Sequence, residues 1–433
     1  ALMGFAATFA VPLGFSLMDE SAPFAHVWIG CMLFTWVSGA LLWRKTRNRR
    51  RELTIKDGFL LVTLVWLVLP AYAALPFMFT VQLIGGLGIM LLAVAVLPFL
   101  GLGGTQLYKA ETPGPMKDTR LTPRIAETAR GLWGVYFVLS AACMWAYHAC
   151  GMSWADAFMH MCTTVGLGGF SSHDKSFGYW DIPALEWTAT LFMLLSGVSF
   201  ALYFRAWQRR SLRPIAQDVE VRAYVQILLV CTAIVAGMLM YGGIYSESDE
   251  AVRQAAFQVV SLATTTGYAA TDYLLWPTFV PVLMLFLGCF VSCAGSTGGG
   301  IKLVRMLVLV RLARRELVRI IHPRVVHHVT LGRGGAVSPD VIWAIMAFML
   351  IYGGAMTALT LLMLASGLDV VTAFSAVIAC LNNIGPGMGK IGPAGNFGVL
   401  NDFQITICTF AMLLGRLELL SVLVLLTPQF WRS

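Results

Sequence analysis

The chain is organised around one short phrase, which reads Ala263-Thr264-Thr265-Thr266-Gly267-Tyr268. Two similar phrases occur, one at residues 162–167 and the other at residues 381–386. Each phrase follows a short apolar segment and lies between two long apolar runs. One Thr-Thr-Gly sequence alone is more often the end of a loop than a functional site. Three copies in the same context indicate a repeated structural unit.

The composition indicates a membrane protein with several spans. Of the 433 residues, 58% are hydrophobic and only 12% are charged. Several apolar runs approach or exceed the roughly eighteen residues that cross a bilayer as a helix. A soluble core cannot absorb so much apolar surface, and no segment of the sequence reads as a soluble domain. We therefore predict an all-α polytopic membrane protein.

The basic residues predict the topology. The chain has a net charge of +8, and most of its basic residues lie in four stretches, at residues 44–51, 109–130, 205–222 and 302–333. These stretches alternate with loops rich in Asp and Glu, which is the pattern of basic loops on the cytoplasmic side. Topology and contact with lipid headgroups explain the charge, so we expect membrane lipid and no nucleic acid as a partner.

Neither the cysteines nor the start of the chain indicates a functional site. The nine cysteines lie mostly inside apolar runs and lack the paired spacing of a zinc site or a disulfide framework. We interpret them as small core residues and expect no cofactor in this chain. Because the chain begins inside an apolar run without an initiator methionine, we expect its N-terminus to lie further upstream.

A unit of span, half-length segment, phrase and second span occurs three times. The predicted spans and half-length segments are 131–149, 152–161 and 185–203; 224–241, 251–262 and 279–310; and 341–365, 370–381 and 405–426. The half-length segments are too short to cross a bilayer, so we predict that they re-enter it. Irregular backbone at membrane depth is tolerated only where protein or a watery cavity satisfies its polar groups. The three units therefore predict a shared central cavity.

The sequence before these units contains further apolar segments. Residues 2–18 and 26–43 predict a helical hairpin, and residues 59–79 and 89–100 predict two more spans. The predicted divisions are a hairpin at 1–51, a first repeat at 52–123, and further repeats at 124–215, 216–335 and 336–433.

The three phrases carry the residue types of a cation filter. A cation that leaves water needs replacement oxygens, which rings of backbone carbonyls can provide. Glycine allows carbonyls to point toward an axis, and the C-terminal end of the preceding half-helix favours a cation. The pattern does not distinguish potassium from sodium. The predicted filter residues are Thr163, Thr164, Val165, Gly166, Thr264, Thr265, Thr266, Gly267, Asn382, Asn383, Ile384 and Gly385.

Further motifs give the phrases a context. They are the glycine-rich segment 294–302, the phrase 382–387 followed by Gly395-Asn396-Phe397, and the ending Pro428-Gln429-Phe430-Trp431. Together with residues 264–268 they resemble the Trk/Ktr/HKT superfamily of potassium transporters, most nearly its bacterial TrkH branch. The likeness extends over nearly the whole chain.

The resemblance implies a fold and a function. The implied fold is a potassium-channel-like pseudo-tetramer of four helix–pore-loop–helix repeats, with an extra N-terminal helical hairpin. The implied function is potassium uptake across the bacterial inner membrane by a homodimer, with potassium as the transported ion. A cytosolic TrkA-type subunit that binds a nucleotide is implied as the gating partner, and the sequence does not indicate which nucleotide.

The resemblance also implies an intramembrane gate. In the family, a loop beneath the filter interrupts the second helix of the third repeat, and an arginine in the last helix, matching Arg416, faces the same part of the pathway. The loop residues that match are Gly295, Ser296, Thr297, Gly298, Gly299, Gly300 and Lys302.

The residues of the implied gate can also be interpreted without the family resemblance. A glycine run within an apolar stretch breaks a helix in any case. The segment is also similar to a phosphate loop, but Ile301 stands where that motif needs lysine, and no strand precedes it. Arg416 and Glu418 are intramembrane charges, which mark a pathway or a pair. We expect Arg416 to face the cavity or the loop at Ser296 and Thr297, with an ion pair across helices as the alternative.

The sequence departs from the family in its first repeat. Only Thr80 and Val81 lie between the span at 59–79 and the start of the next at Gln82, so the first pore helix and filter are absent there. A missing quadrant would leave the cation sites short of carbonyls, so we favour an omission of about forty residues over a natural three-quarter filter.

Two other classes of function fit parts of the pattern. A sodium- or proton-coupled carrier with broken helices usually has inverted repeats, whereas these units all run in the same orientation. A membrane-embedded enzyme would need a base or a metal cluster beside the phrases, and the candidates are only His160, His173 and Asp174, near the predicted outer mouth. We therefore expect a transporter rather than an enzyme. The basic segment 311–333 suits either the regulatory subunit or lipid headgroups.

Overall fold

A computed structural model describes residues 25–46, 125–322, 328–331, 336–416, 419–425 and 427–431, together with positions 6, 9, 10, 13 and 68. The first predicted helix of the hairpin, the first repeat with its missing filter, and Glu418 lie outside the described residues, those few positions excepted. The described residues form helices and no strand; a single isolated bridge joins Thr330 and Ala336.

The helices are named in chain order. They are α1 (Ala25–Thr46), α2 (Ile125–Ala149), α3 (Trp154–Val165), α4 (Pro183–Ser196), α5 (Phe200–Arg209), α6 (Arg213–Gln217), α7 (Val219–Tyr241), α8 (Ser248–Ala263), α9 (Phe279–Phe290), α10 (Leu303–Ile321), α11 (Pro339–Ala365), α12 (Val370–Leu381), α13 (Asp402–Arg416), α14 (Leu420–Leu425) and α15 (Pro428–Trp431).

Three units of the same design make up the described part of the molecule. The first contains α2, α3 and the pair α4–α5, the second contains α7, α8 and the pair α9–α10, and the third contains α11, α12 and α13. Within the described residues, three helices are long and apolar enough to cross a membrane, or four if the bent pair α4–α5 is one span. Large apolar side chains such as Leu229 and Leu350 are exposed on these spans, which fits contact with lipid.

The short helices α3, α8 and α12 correspond to the predicted half-length segments. They contain 12, 16 and 12 residues. Ser153 caps α3 by accepting from the amide of Asp156, and Asp369 caps α12 by accepting from the amide of Thr372. Asp249 and Glu250 supply negative charge in the first turn of α8. In α12 every residue from Thr372 to Leu381 except Phe374 is buried, as expected for a helix surrounded by protein.

The second helix is broken in the first and the second unit. The predicted interruption of span 279–310 lies between α9 and α10, at residues 291–302. The prediction of one continuous span at 185–203 is wrong, because α4 and α5 are bent by 85° at residues 197–199. The carbonyls that the bend releases find partners on distant elements, since Ser196 O accepts from Thr297 and Gly197 O accepts from the amide of Cys293. These partners come from far along the chain, so the apolar run itself gave no sign of the bend.

Candidate functional site

The helices α3, α8 and α12 end with the same backbone geometry. The cap residue is right-handed, the next residue has a left-handed φ of 49° to 61°, and a glycine two residues further on has a φ of 64° to 106°. Glycine is the residue that adopts such angles without strain. The equivalent sets are Gly166, Leu167 and Gly169; Thr264, Thr265 and Gly267; and Asn382, Asn383 and Gly385.

Backbone hydrogen bonds give the same equivalence. The amides of Gly168, Thr266 and Ile384 each donate to a carbonyl five residues earlier, at 2.8 Å in all three units. The acceptors belong to Thr163, Ser261 and Ala379. The three phrases are therefore copies of one local structure, residue by residue.

The register predicted for the first of these phrases is wrong by three residues. Thr163, Thr164 and Val165 form the last turn of α3, and Gly166 is the cap, so Gly166 corresponds to Thr264. The backbone equivalent of Gly267 is Gly169, which the sequence reading missed. The error arose from aligning the threonine pairs. Aligning the aromatic residues that follow each glycine, Phe170 and Tyr268, would have given the correct register.

Neighbouring units meet at these glycines. A β-carbon on Gly169 would lie 2.0 Å from the carbonyl oxygen of Thr266, and one on Gly267 would lie 2.1 Å from that of Ile384. Only glycine fits at such distances. The three extended segments therefore follow one another around a common centre, in the order of the chain, which is the arrangement that a ring of carbonyls requires.

The polar side chains of the predicted filter residues are engaged with protein. Thr264 Oγ1 donates to Val260 O at 2.7 Å, and Asn382 Nδ2 donates to Ile378 O at 2.9 Å. Asn383 Nδ2 donates to Met412 O at 3.3 Å, and Thr266 Oγ1 lies 2.7 Å from Thr264 Oγ1. Because these side chains bond to protein, the backbone carbonyls are the groups best placed to coordinate a cation.

The loop at residues 291–302 lies against the ends of α3, α8 and α12. Thr297 Oγ1 donates to Val165 O at 2.9 Å, at the end of α3. The amide of Gly299 donates to Thr265 Oγ1 at 2.7 Å, beyond the end of α8. A β-carbon on Gly299 would lie 2.1 Å from Asn382 O, at the end of α12. A segment that touches three helix ends at once lies below the point where they meet.

Two basic side chains bond to the same loop. Arg416 Nη1 donates to Thr297 O at 3.3 Å, and Lys302 Nζ donates to Gly298 O. Lys302 is buried and has a left-handed φ of 75°. Arg416 therefore lies against the loop at Thr297, one of the two positions expected from the sequence. Gly295 and Ser296 form the turn before Thr297, where Gly295 O accepts from the amide of Phe200 in the first unit.

Glu220 is a loop contact that the sequence reading missed. Its Oε1 accepts from the amide of Ala294 at 2.9 Å and from the amide of Val304 at 3.0 Å. One carboxylate thus joins the two ends of the loop to the start of α7. The residue lies next to a basic stretch, where an acidic residue gave no distinguishing signal.

A buried ion pair joins the first and second units. Arg253 of α8 donates to Glu186 of α4 at 2.7 Å, and the two side chains are 10% and 2% exposed. Gln254 Nε2 adds bonds of 3.2 Å to both carboxylate oxygens. The pair fixes the N-terminal part of α8 against α4, which belongs to the preceding unit.

We expect Arg253→Met to lower the free energy of unfolding by about 3–5 kcal/mol, because it leaves the buried Glu186 carboxylate without its counter-charge. The measurement is thermal unfolding of the purified protein in detergent. The matched control is the double variant Glu186→Leu with Arg253→Leu, which removes both charges and should lie closer to wild type. Equal losses for the single and the double variant would show that the ion pair is not the cause.

The side chains of His160 and His173, two of the three residues weighed for an enzyme, are bonded to residues outside the phrases. His160 is bonded to Asp156 O at 2.8 Å and to Ser171 Oγ at 2.9 Å, and His173 lies 3.3 Å from Asp156 Oδ1. Asp174 is exposed. Over the described ranges, no group of three or more His, Cys, Asp or Glu side chains could hold a metal ion.

Comparison with known proteins identifies the family. The family whose sequence model matches residues 72–433 is described as "TrkH: Cation transport protein". The chain belongs to the TrkH family. A Trk system potassium uptake protein TrkH of Vibrio parahaemolyticus is 40% identical over 439 residues, covering 91% of this chain and 90% of the relative. The resemblance drawn from the sequence motifs is thereby confirmed.

One further relative and one solved structure extend the comparison. A Trk system potassium uptake protein TrkH of Halomonas elongata is 38% identical over an aligned length of 475, covering 100% of this chain and 97% of the relative. That length exceeds the 433 residues of this chain, so the relative contains residues that have no counterpart here. The crystal structure of the potassium transporter TrkH from Vibrio parahaemolyticus superimposes with a TM-score of 0.86 at 35% identity, covering 100% of this chain and 97% of the other.

Proposed function

We propose that this chain takes up potassium across the bacterial inner membrane through a channel-like pore. The observation that carries the proposal is the identical end geometry of α3, α8 and α12, whose extended segments meet at Gly169 and Gly267. Carbonyls held in this way can replace the water around a cation. Relatives described as potassium uptake proteins support potassium as the ion.

The loop at residues 291–302 is proposed as the gate. It contacts the ends of α3, α8 and α12, which we take as the pore helices. Arg416 and Lys302 add positive charge to it. Positive charge below a cation filter opposes passage while the loop is in place. Movement of the loop would need Glu220 to release the amides of Ala294 or Val304.

The remaining parts of the proposal concern topology and partners. The basic segments, including α10 with its arginines, are assigned to the cytoplasm by the positive-inside pattern. A TrkA-type nucleotide-binding subunit on that side and a homodimer are proposed from the family, and relatives named as parts of a Trk system fit the former. The sequence places an omission of about forty residues between Thr80 and Gln82, and the aligned length of 475 with the Halomonas elongata protein fits an omission somewhere in the chain.

Ion flux into proteoliposomes tests this function. We expect the reconstituted protein to carry rubidium, a potassium substitute, down its gradient, with potassium competing more strongly than sodium. Gly267→Ser should reduce that discrimination, because its β-carbon would displace the carbonyl of Ile384. Gly353→Ala on α11 is the matched control, since nothing lies within 4 Å of the added carbon. Absence of flux, or flux that requires a sodium or proton gradient, would overturn the proposal in favour of a coupled carrier.

A further inference from the structure

The hydroxyl of Tyr268 lies in a buried cluster behind the filter. Tyr268 directly follows Gly267 and is completely buried. Its hydroxyl lies within hydrogen-bonding distance of Thr163 Oγ1, of Thr164 Oγ1 and of His160 O, and it donates its single proton to one of them. Tyr147 Oη adds a 2.7 Å hydrogen bond to Thr164 Oγ1. The side chain of Tyr268, in the second unit, is therefore bonded to α3, the pore helix of the first unit.

The backbone of Tyr268 is held by its own pore helix. Ser261 Oγ donates to Tyr268 O at 2.7 Å, and Thr163 Oγ1 makes the equivalent bond to Phe170 O at 2.8 Å. Tyr268 thus spans from the end of α8 to the end of α3. Its ring is fixed against Phe177, with a centroid distance of 4.7 Å. A side chain held at both ends in this way fixes the separation of the two pore helices.

The equivalent positions in the other described units lack this connection. They are occupied by Phe170, which is 42% exposed, and by Pro386. Neither side chain has a hydroxyl group. The filter contact between α3 and α8, where Gly169 and Thr266 O come together, is therefore fastened by a tyrosine hydroxyl at the position directly after the glycine.

We propose that Tyr268, through Thr163 and Thr164, is a positioning residue that sets the discrimination between potassium and sodium. The inference rests on the proposed potassium pore. A filter whose carbonyls are held at a fixed separation suits the larger ion, whereas a filter that can contract also accommodates the smaller one. Tyr268 does not touch the ion in this account; it acts by holding the carbonyls of residues 166–169 and 264–267 apart.

The test is the ratio of potassium to sodium permeability in proteoliposomes. We expect Tyr268→Phe to lower this ratio by about fivefold, as the loss of roughly one hydrogen bond would produce, while total cation flux is kept. Tyr203→Phe is the matched control, because it removes a 2.7 Å hydroxyl bond to Leu195 O outside the filter. It should leave the ratio unchanged.

Thr163 supplies a second, isosteric pair of variants. Thr163→Val removes the hydroxyl and should lower the ratio, whereas Thr163→Ser keeps it and should preserve the wild-type value. Combining Thr163→Val with Tyr268→Phe should lower the ratio by less than the product of the two single effects, because both act on one contact. Size-exclusion profiles identify variants that fail to fold.

An unchanged ratio in Tyr268→Phe, while Gly267→Ser still loses discrimination, would overturn this inference and leave the pore intact. Fully multiplicative effects of the two substitutions would also overturn it. If the wild-type protein shows no preference for potassium, the proposed function itself fails.

Discussion

Replacing Gly169 with alanine strongly lowers potassium uptake and its discrimination from sodium, whereas replacing Gly166 leaves most of both. A β-carbon on Gly169 would lie 2.0 Å from Thr266 O, and the residue has a φ of 64°. The left-handed conformation costs an alanine about 1–2 kcal/mol, and the contact forces the carbonyl of the next unit to move. A displaced carbonyl removes an oxygen from the pathway, so we expect rubidium uptake to fall strongly and sodium to compete better with what remains.

Gly166 is the control because it differs in register and in conformation. Its φ of −76° is right-handed and open to any residue, and the equivalent positions carry the side chains of Thr264 and Asn382. The measurement is rubidium uptake together with growth of an uptake-deficient bacterium on low potassium. Loss of uptake in Gly166→Ala with normal uptake in Gly169→Ala would restore the register read from the sequence and reject the structural one.

The sequence was sufficient to predict the repeated unit of span, half-length helix, phrase and second span. It was not sufficient to align the phrase of the first unit with the other two. The half-length segments could be predicted because their length is set by the bilayer, and α12 has the bounds expected from the apolar run at 370–381. The position of Gly169 could not be derived from the threonines, since the same Thr-Thr pair ends a helix in one unit and follows a helix in another. Which of these occurs depends on where the helix cap falls, and that is decided by packing between units.

The contacts between units were beyond the reach of sequence reasoning for a physical reason. Tyr268 and Thr163 are bonded to each other across 105 residues, and Glu220 reaches the loop across 74. The periodic pattern of apolar residues in a sequence indicates only which residues share a face of one helix, and it does not show which helices contact each other. The glycine run at 298–300 was different, because several glycines in an apolar stretch disfavour a helix wherever they occur, and so the break between α9 and α10 could be anticipated.

Deleting Gly298, Gly299 and Gly300 raises the rate of cation flux. The deletion removes the amide of Gly299, which donates to Thr265 Oγ1, and the backbone that lies beside the carbonyl of Asn382. Each lost hydrogen bond is worth about 1 kcal/mol. We therefore expect the equilibrium between closed and open pores to shift toward the open pore by about tenfold or more. The measurement is initial rubidium uptake by the reconstituted chain alone, compared with the wild-type protein.

Thr297 tests the same loop without a change in its length. Thr297→Val removes the hydroxyl that donates to Val165 O at 2.9 Å, and it should raise flux less than the deletion because the other loop contacts remain. Thr357→Val is the matched control, since it removes a 2.9 Å hydroxyl bond to Gly353 O on the outer surface of α11, and it should leave flux unchanged. Flux that stays flat in both the deletion and Thr297→Val, with both proteins folded, would mean that the loop does not obstruct the pore. Arg416, which donates to Thr297 O, would then oppose cations by its own charge, and Arg416→Gln alone should raise flux.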